Sequence, residues 1–350
     1  MRLSRLPVAR LLLGGGLLLM LAAALLWILP SPDYLIVPNA AQPLDGRVRV
    51  QGGHEPSSPG GIYYLDVTLR RARWLEHMLA FTRPDGTSLV SAAEVVPRGS
   101  SFEAERQANL AEMNRSEQIA ATVALRQAGI RVRARETGVL VEAVLQGVPA
   151  AEVLKEGDVI VSVNGKPALT VTQLRKRLAP LRPGAIVSLR VRRTGSTLSL
   201  RVKTIADPVT PARTIIGIFR AGQAAEITLP IHVDIDLGGV GGPSAGLPFA
   251  LDVYEQLGHD IDRGLKVAAT GELDLDGNVG PIGGVKQKTF GARKAGVDVL
   301  LIPAGENAVE ARKYAGGLRV VPVESFQQAL RVLATLTPTS DRSVSPTPSK

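Results

Sequence analysis

In GGVGGPSAGLPFALDVYEQL (residues 238–257) a single serine, Ser244, separates a glycine-rich turn from an apolar run. Pro248 has no N–H and its ring clashes with a preceding helical turn, so it belongs to a helix's first turn, and that helix begins near Ala245 or Gly246. Its face would be Leu247, Ala250, Leu251, Tyr254 and Leu257. Ser244 then sits at the helix mouth, where unpaired N–H groups and the positive end of the dipole favour a developing oxyanion. Gly241, Gly242 and Gly246 would let a substrate backbone come close. Three chemistries fit such a place: a helix cap, a phosphate cradle and a nucleophile. On spacing alone a cap is the commonest. A phosphate loop is excluded, because no G-x-x-x-x-G-K-[ST] occurs and the turn holds no lysine.

A nucleophilic serine needs a base. The four histidines, His54, His77, His232 and His259, show no triad-like context. His232, in the strand leading to Ser244, is a supporting candidate or simply a packed strand residue. A lysine can serve if burial lowers its pKa from about 10.4 toward neutrality. In ATGELDLDGNVGPIGGVKQKTFGARKAGVDVLLIP (residues 269–303) a helix after Gly283-Gly284 puts Val285, Lys288, Ala292 and Ala295 on one stripe. Lys286, Arg293 and Lys294 point elsewhere, and Phe290 does not fit the stripe. Glu272, Asp274 and Asp276 alternate as the wet face of a strand running into the turn Asp276-Gly277, rather than as a metal loop.

The elements that must hold this pair are spread over 350 residues, 45% hydrophobic, enough for two or more cored domains. Arg2, Arg5 and Arg10 precede residues 11–29, which carry no charge. At about 1.5 Å per residue that run just crosses a hydrocarbon layer of roughly 30 Å. The basic flank places the N-terminus in the cytoplasm and everything after Asp33 outside. A cleaved signal peptide would have a shorter apolar core and a better small-x-small site than Asn39-Ala40-Ala41, so an uncleaved anchor is expected. The absence of cysteine suits an exported protein. The net charge of +9 is scattered, and aromatics are only 4%, without interleaving with the basic runs. This reads as a surface facing anionic lipid, with no nucleic-acid partner.

Residues 33–130 read as strands followed, near Ser100 and Glu103, by a capping box and one or two helices carrying Leu110, Met113, Ile119, Val123 and Leu125. Residues 131–205 contain GVLVEAV, the segment GDVIVSVNGK (157–166), a helix with Leu174 and Leu178, and an alternating strand. Over about seventy positions they resemble a bacterial PDZ domain. The resemblance implies a groove between Thr172–Leu178 and the strand that starts Gly138, Val139, Leu140 and Val141, where a peptide adds as a strand and its carboxylate meets backbone N–H groups. ADPVTPA (206–212) reads as a linker, and residues 337–350 as a proline- and serine-rich tail too poor in apolar groups to fold.

GGPSAG (241–246), TGELDLDGNVGPIGGVKQK (270–288) and VLLIPAGEN (299–307) resemble the proteolytic domain of the Lon family, across about 215–333. With the anchor and the PDZ unit, the chain looks like the membrane-anchored PDZ and Lon-domain proteases of bacteria. The expected fold is α+β: a transmembrane helix (1–32), a strand-rich segment with a helix (33–130), a PDZ domain (131–205) and a Lon-type proteolytic domain (206–336). The resemblance implies Ser244 as nucleophile, Lys288 as general base and Thr270 as an orienting hydroxyl. Gly242 and Ala245 would support an oxyanion hole. It also implies polypeptide substrates, no cofactor, no metal and a homo-oligomer, by resemblance a hexameric ring. ATP-driven members carry an ATPase module and commonly an aspartate two residues before the proline of GGPSAG; here there is no Walker motif and that position is Gly241. MNRSEQIAATVAL (113–125) resembles an early helix of the same domain, so the PDZ unit is expected to interrupt one catalytic domain. The alternative is a PDZ adaptor on an inactive protease scaffold.

Overall fold

The computed structural model describes residues 6–54, 60–95, 102–208 and 210–336; the tail 337–350 and the proposed cap Ser100 lie outside them. The apolar run forms helix α1 (Leu6–Ile28). Its side chains are described over residues 13–28, about 24 Å of helix. Among the described residues no helix is long and apolar enough to cross a membrane. Leu13, Leu18, Leu19, Met20 and Ile28 are all exposed along this segment.

After α1 come β1 (Pro30–Pro38), β2 (Val48–Val50), β3 (Gly61–Tyr64), β4 (Val67–Arg73), β5 (Ser88–Val90) and helix α2 (Phe102–Gln127). β1 is the middle strand of an antiparallel sheet with β4 and β5. α2 is one continuous helix. Ile119, Ala120, Val123 and Ala124 bury its inner face, and Gly129, at φ 80°, closes it by donating to Arg126 O.

The middle of the chain forms β6 (Arg133–Val144), β7 (Val159–Val163), α3 (Val171–Leu178), β8 (Ile186–Arg193), β9 (Ser196–Lys203) and β10 (Ile218–Thr228). The strands line up as β9-β8-β7-β6-β10, all antiparallel. Thr170 caps α3 by accepting from Gln173 N, and Leu174 and Leu178 enter the core of this unit.

Two expectations are corrected here. The strand Gly138, Val139, Leu140 and Val141 has no open edge for a peptide. Val139 pairs with Ile160 on one side and Gln223 on the other, and Leu140 with Val159 and Gly222. The edge strand on this side of the sheet is β10. Nor is ADPVTPA a linker at a boundary between 205 and 206. Ile205–Ala206 pairs with Thr214–Ile215, Asp207 N donates to Arg213 O, and the Asp207 carboxylate meets Arg213 at 2.7 Å. This is a hairpin that returns the chain to the same sheet, and Ile216, Ile218 and Ala221 pack into its core. Proline and aspartate mark tight turns and linkers alike, so composition could not separate the two.

The rest of the chain forms β11 (Val233–Ile235), α4 (Gly246–Gln256), β12 (Lys266–Ala269), β13 (Glu272–Leu273), β14 (Val279–Gly280), α5 (Val285–Ala295), β15 (Val299–Pro303), α6 (Glu306–Tyr314), β16 (Arg319–Val323) and α7 (Phe326–Thr335). The central sheet runs β3-β12-β15-β16, all parallel, with Gln42–Pro43 antiparallel on β3. β2 pairs with β11. Residues from before and after the PDZ-like unit therefore share one core: Val48, Ile62, Ile119 and Val123 pack with Leu247, Leu251, Val267 and Leu301. α4 lies inside it. Leu247, Phe249, Ala250, Leu251 and Val253 are fully buried, so the helix has no wet face, contrary to the single stripe expected. The cause is its place among β3, α2 and α7, which pack around it.

Candidate active site

Gly242, at φ 95°, turns the chain into the short helical turn Pro243–Ala245 that opens α4. Neighbours from distant segments clamp this turn. Ser244 O accepts from Gly271 N at 2.8 Å and from Thr270 Oγ1 at 3.1 Å. Pro243 O accepts from Ser116 Oγ at 3.0 Å, and Gly242 N donates to Asn109 O at 2.8 Å. The last bond corrects one expectation: the Gly242 N–H is committed to α2. Pro243 has none, and Ser244 carries the next N–H of this turn.

α5 delivers the lysine. Lys288 is 4% exposed and Thr270 is fully buried. Lys288 Nζ lies 2.6 Å from Ser244 Oγ and 3.2 Å from Thr270 Oγ1. Ser244, Lys288 and Thr270 thus meet at one point. Loss of water pushes the Lys288 amine down from 10.5 to about 8, while the Asp66 charge acts against that fall. α5 is fixed by strands from the start of the chain: Lys286 Nζ donates to Thr87 O at 2.8 Å, Gln287 Nε2 to Ser88 Oγ at 2.8 Å, and Ala41 N to Gly291 O at 3.1 Å. Gly291 is required there, since a Cβ would overlap the Asn39 carbonyl oxygen.

A cavity of about 630 Å³ opens over the pair, walled by Asp66, Asn109, Met113, Gly241, Glu272 and Pro281. Asp66 carries no signal in the sequence. One carboxylate oxygen accepts from Asn39 Nδ2 at 2.9 Å, and the other is buried without a hydrogen-bond partner among the described residues. Asn109 and Ser116 brace the serine turn from α2; Ser116 falls within MNRSEQIAATVAL, but neither residue is singled out in the sequence. His232 is exposed and lines no part of this cavity. Asp274 accepts from Asp276 N and Asn278 N, so its carboxylate organises the β13–β14 turn.

A second concavity of about 370 Å³ lies between α3 and β10. Val171, Leu174, Leu178, Ile216, Ile218 and Ala221 supply its apolar lining, with Arg175, Lys176 and Arg213 at its rim.

The family model of the PDZ domain matches residues 127–204, and that of the Lon protease (S16) C-terminal proteolytic domain matches residues 216–335. The chain combines a PDZ domain with a Lon-type proteolytic domain. It is similar to Lon protease 2 of Bacillus subtilis, 34% identical over 144 residues, which are 41% of this chain and 25% of that protein. It is also similar to Lon protease 1 of Myxococcus xanthus, 38% identical over 109 residues, which are 29% of this chain and 13% of the relative. The chain thus spans a quarter or less of these curated relatives. Among solved structures, the PDZ domain of the SdrC-like protein of Listeria monocytogenes is 24% identical, covering 24% of this chain and 88% of its own, at a TM-score of 0.23.

Proposed function

We propose that this protein is an ATP-independent serine endopeptidase acting through a Ser244–Lys288 dyad. The observation that carries the reading is the 2.6 Å approach of a buried amine, its pKa lowered to about 8, to a hydroxyl at a helix mouth. The neutral amine takes the proton of Ser244 as Oγ attacks the scissile carbonyl. The Ser244 N–H, at the mouth of the helix, faces the resulting oxyanion. Lys288 then passes its proton to the departing amine, leaving an acyl-enzyme. It next deprotonates the water that releases the acyl group. Thr270 Oγ1 holds the amine toward the serine. Support for ATP independence is the lack of a Walker sequence.

The same proposal tethers the enzyme to the outer face of the cytoplasmic membrane through α1, whose leucines are exposed among the described residues, and has it assemble as a homo-oligomer. Its PDZ domain selects polypeptide tails in the groove between α3 and β10, on flexible or damaged exported proteins. Cleavage of unfolded casein by the full chain in detergent micelles, set against Ser244→Ala, tests the activity. Equal rates would leave only a tethered peptide binder. Alkaline extraction of membranes tests the anchor, with release into the supernatant counting against it.

A further inference from the structure

The concavities of this molecule share walls in series. The groove between α3 and β10 and the crevice next to it have Val171, Arg175 and Ala221 in common. That crevice in turn shares Glu272 and Pro281 with the cavity over Ser244 and Lys288. β10 ends its sheet, so its outer edge has no strand partner among the described residues. The spacing between the two sites is also fixed. β10 is continuous between the cores, with Ile218 and Ala221 packed in one and Ala225 and Ile227 in the other. Arg115 on α2 meets Glu142 on β6 at 2.8 Å and locks the same junction.

Resting on the protease reading above, we infer that groove, crevice and active-site cavity form one trough, in which a substrate docked by its C-terminus is cut at a set distance upstream of that terminus. A strand added to an edge takes its direction from where its end is held. With the terminal carboxylate at the turn before Ile218, the upstream residues pass Ala221 and Gln223, then Glu272, and reach Ser244. The stretch from Ile218 to Gln223 takes about six residues at about 3.3 Å each, and the single crevice beyond takes a few more, so the cut falls roughly eight to twelve residues from the end. The walls change charge along the way. Lys176 and Arg213 rim the docking end, Arg175 borders both concavities, and Glu272 and Asp274 line the crevice toward the catalytic end. Acidic residues close to the tail and basic residues nearer the cut complement this order.

The test uses the full chain in detergent micelles and an unstructured reporter polypeptide with an apolar C-terminal residue, the first cut being located by mass spectrometry. Inserting five glycine and serine residues just before the tail should move the cut by five residues, keeping its distance from the end. Amidating the terminal carboxylate, or filling the groove by Val171→Trp, should slow that cut at least tenfold. Amidation alone answers the question if Val171→Trp disturbs the fold. Cuts that stay at the same sequence after the insertion, or that proceed undiminished on the amidated reporter, overturn the trough while leaving the protease intact. Reporter cleavage no faster than with Ser244→Ala overturns the protease reading and the trough with it.

Discussion

Lys288 Nζ and Ser244 Oγ approach to 2.6 Å, although the serine sits in the turn before α4 and the lysine comes buried from α5. A base with a pKa of about 8 is neutral in about one molecule in ten at pH 7. Turnover should therefore rise about tenfold per pH unit below 8 and level off above it. Asp66 holds the amine's pKa up, so Asp66→Asn should move this limb to lower pH. Initial rates on a short fluorogenic peptide from pH 5.5 to 9.5 measure both. A limb that stays in place in Asp66→Asn removes the carboxylate's role.

The same burial should destabilise the fold. The unfolded amine keeps its proton up to about 10.5 and the folded one loses it near 8, so the unfolded state binds more protons between these values. Stability is penalised in full below pH 8, and the penalty disappears as pH rises toward 10.5. Lys288→Met should abolish cleavage yet stabilise the protein by about 2–3 kcal/mol at pH 7, the gain shrinking above pH 8. Urea unfolding at pH 7 and pH 10 reads the difference. A destabilised variant at pH 7 would contradict it.

Thr270 bridges the two, lying 3.2 Å from Lys288 Nζ while donating to Ser244 O at 3.1 Å. Thr270→Val keeps the shape and loses both bonds, so kcat should fall about 10- to 100-fold with KM nearly constant. Thr270→Ser should restore most of it. A failure of serine to rescue would assign the threonine to packing alone.

Gly291 sets how deeply α5 can sit against the Asn39 carbonyl. Gly291→Ala must push that helix outward, and Lys288 with it. We expect a loss of roughly 1–3 kcal/mol in stability and a larger fractional loss of activity, since a displacement near 1 Å is enough to spoil a reacting geometry. Thermal melting beside peptide cleavage checks this, and an unchanged kcat would show that α5 tolerates the shift.

The sequence by itself determined the chemical types and the local conformations. Glycines and Pro248 fix where the turn ends and α4 begins, Gly284 opens α5 in a left-handed conformation, and the Asn164-Gly165 turn joins β7 to the segment after it. Each depends on backbone sterics within a few residues, so Ser244 and Lys288 could be picked out as candidates before any coordinate, whereas Thr270 came only from the family resemblance. Periodicity did less well where an element is covered on every side. α4 was expected to have a wet face because its stripe is real, but α2 and α7 close over the remainder.

Tertiary structure alone decided which strand carries the open edge, which carboxylate stands near the amine and which backbone donors remain at the serine. β10 covers Val139 through a hairpin that composition presents as a linker. Asp66 reaches the cavity because β3 pairs in parallel with β12, bringing the start of the chain beside Thr270. Such pairings depend on contacts among residues hundreds of positions apart, and no local preference encodes them. They also set how much water surrounds Lys288, and that desolvation, rather than the identity of the residue, is what converts an ordinary ammonium into a base.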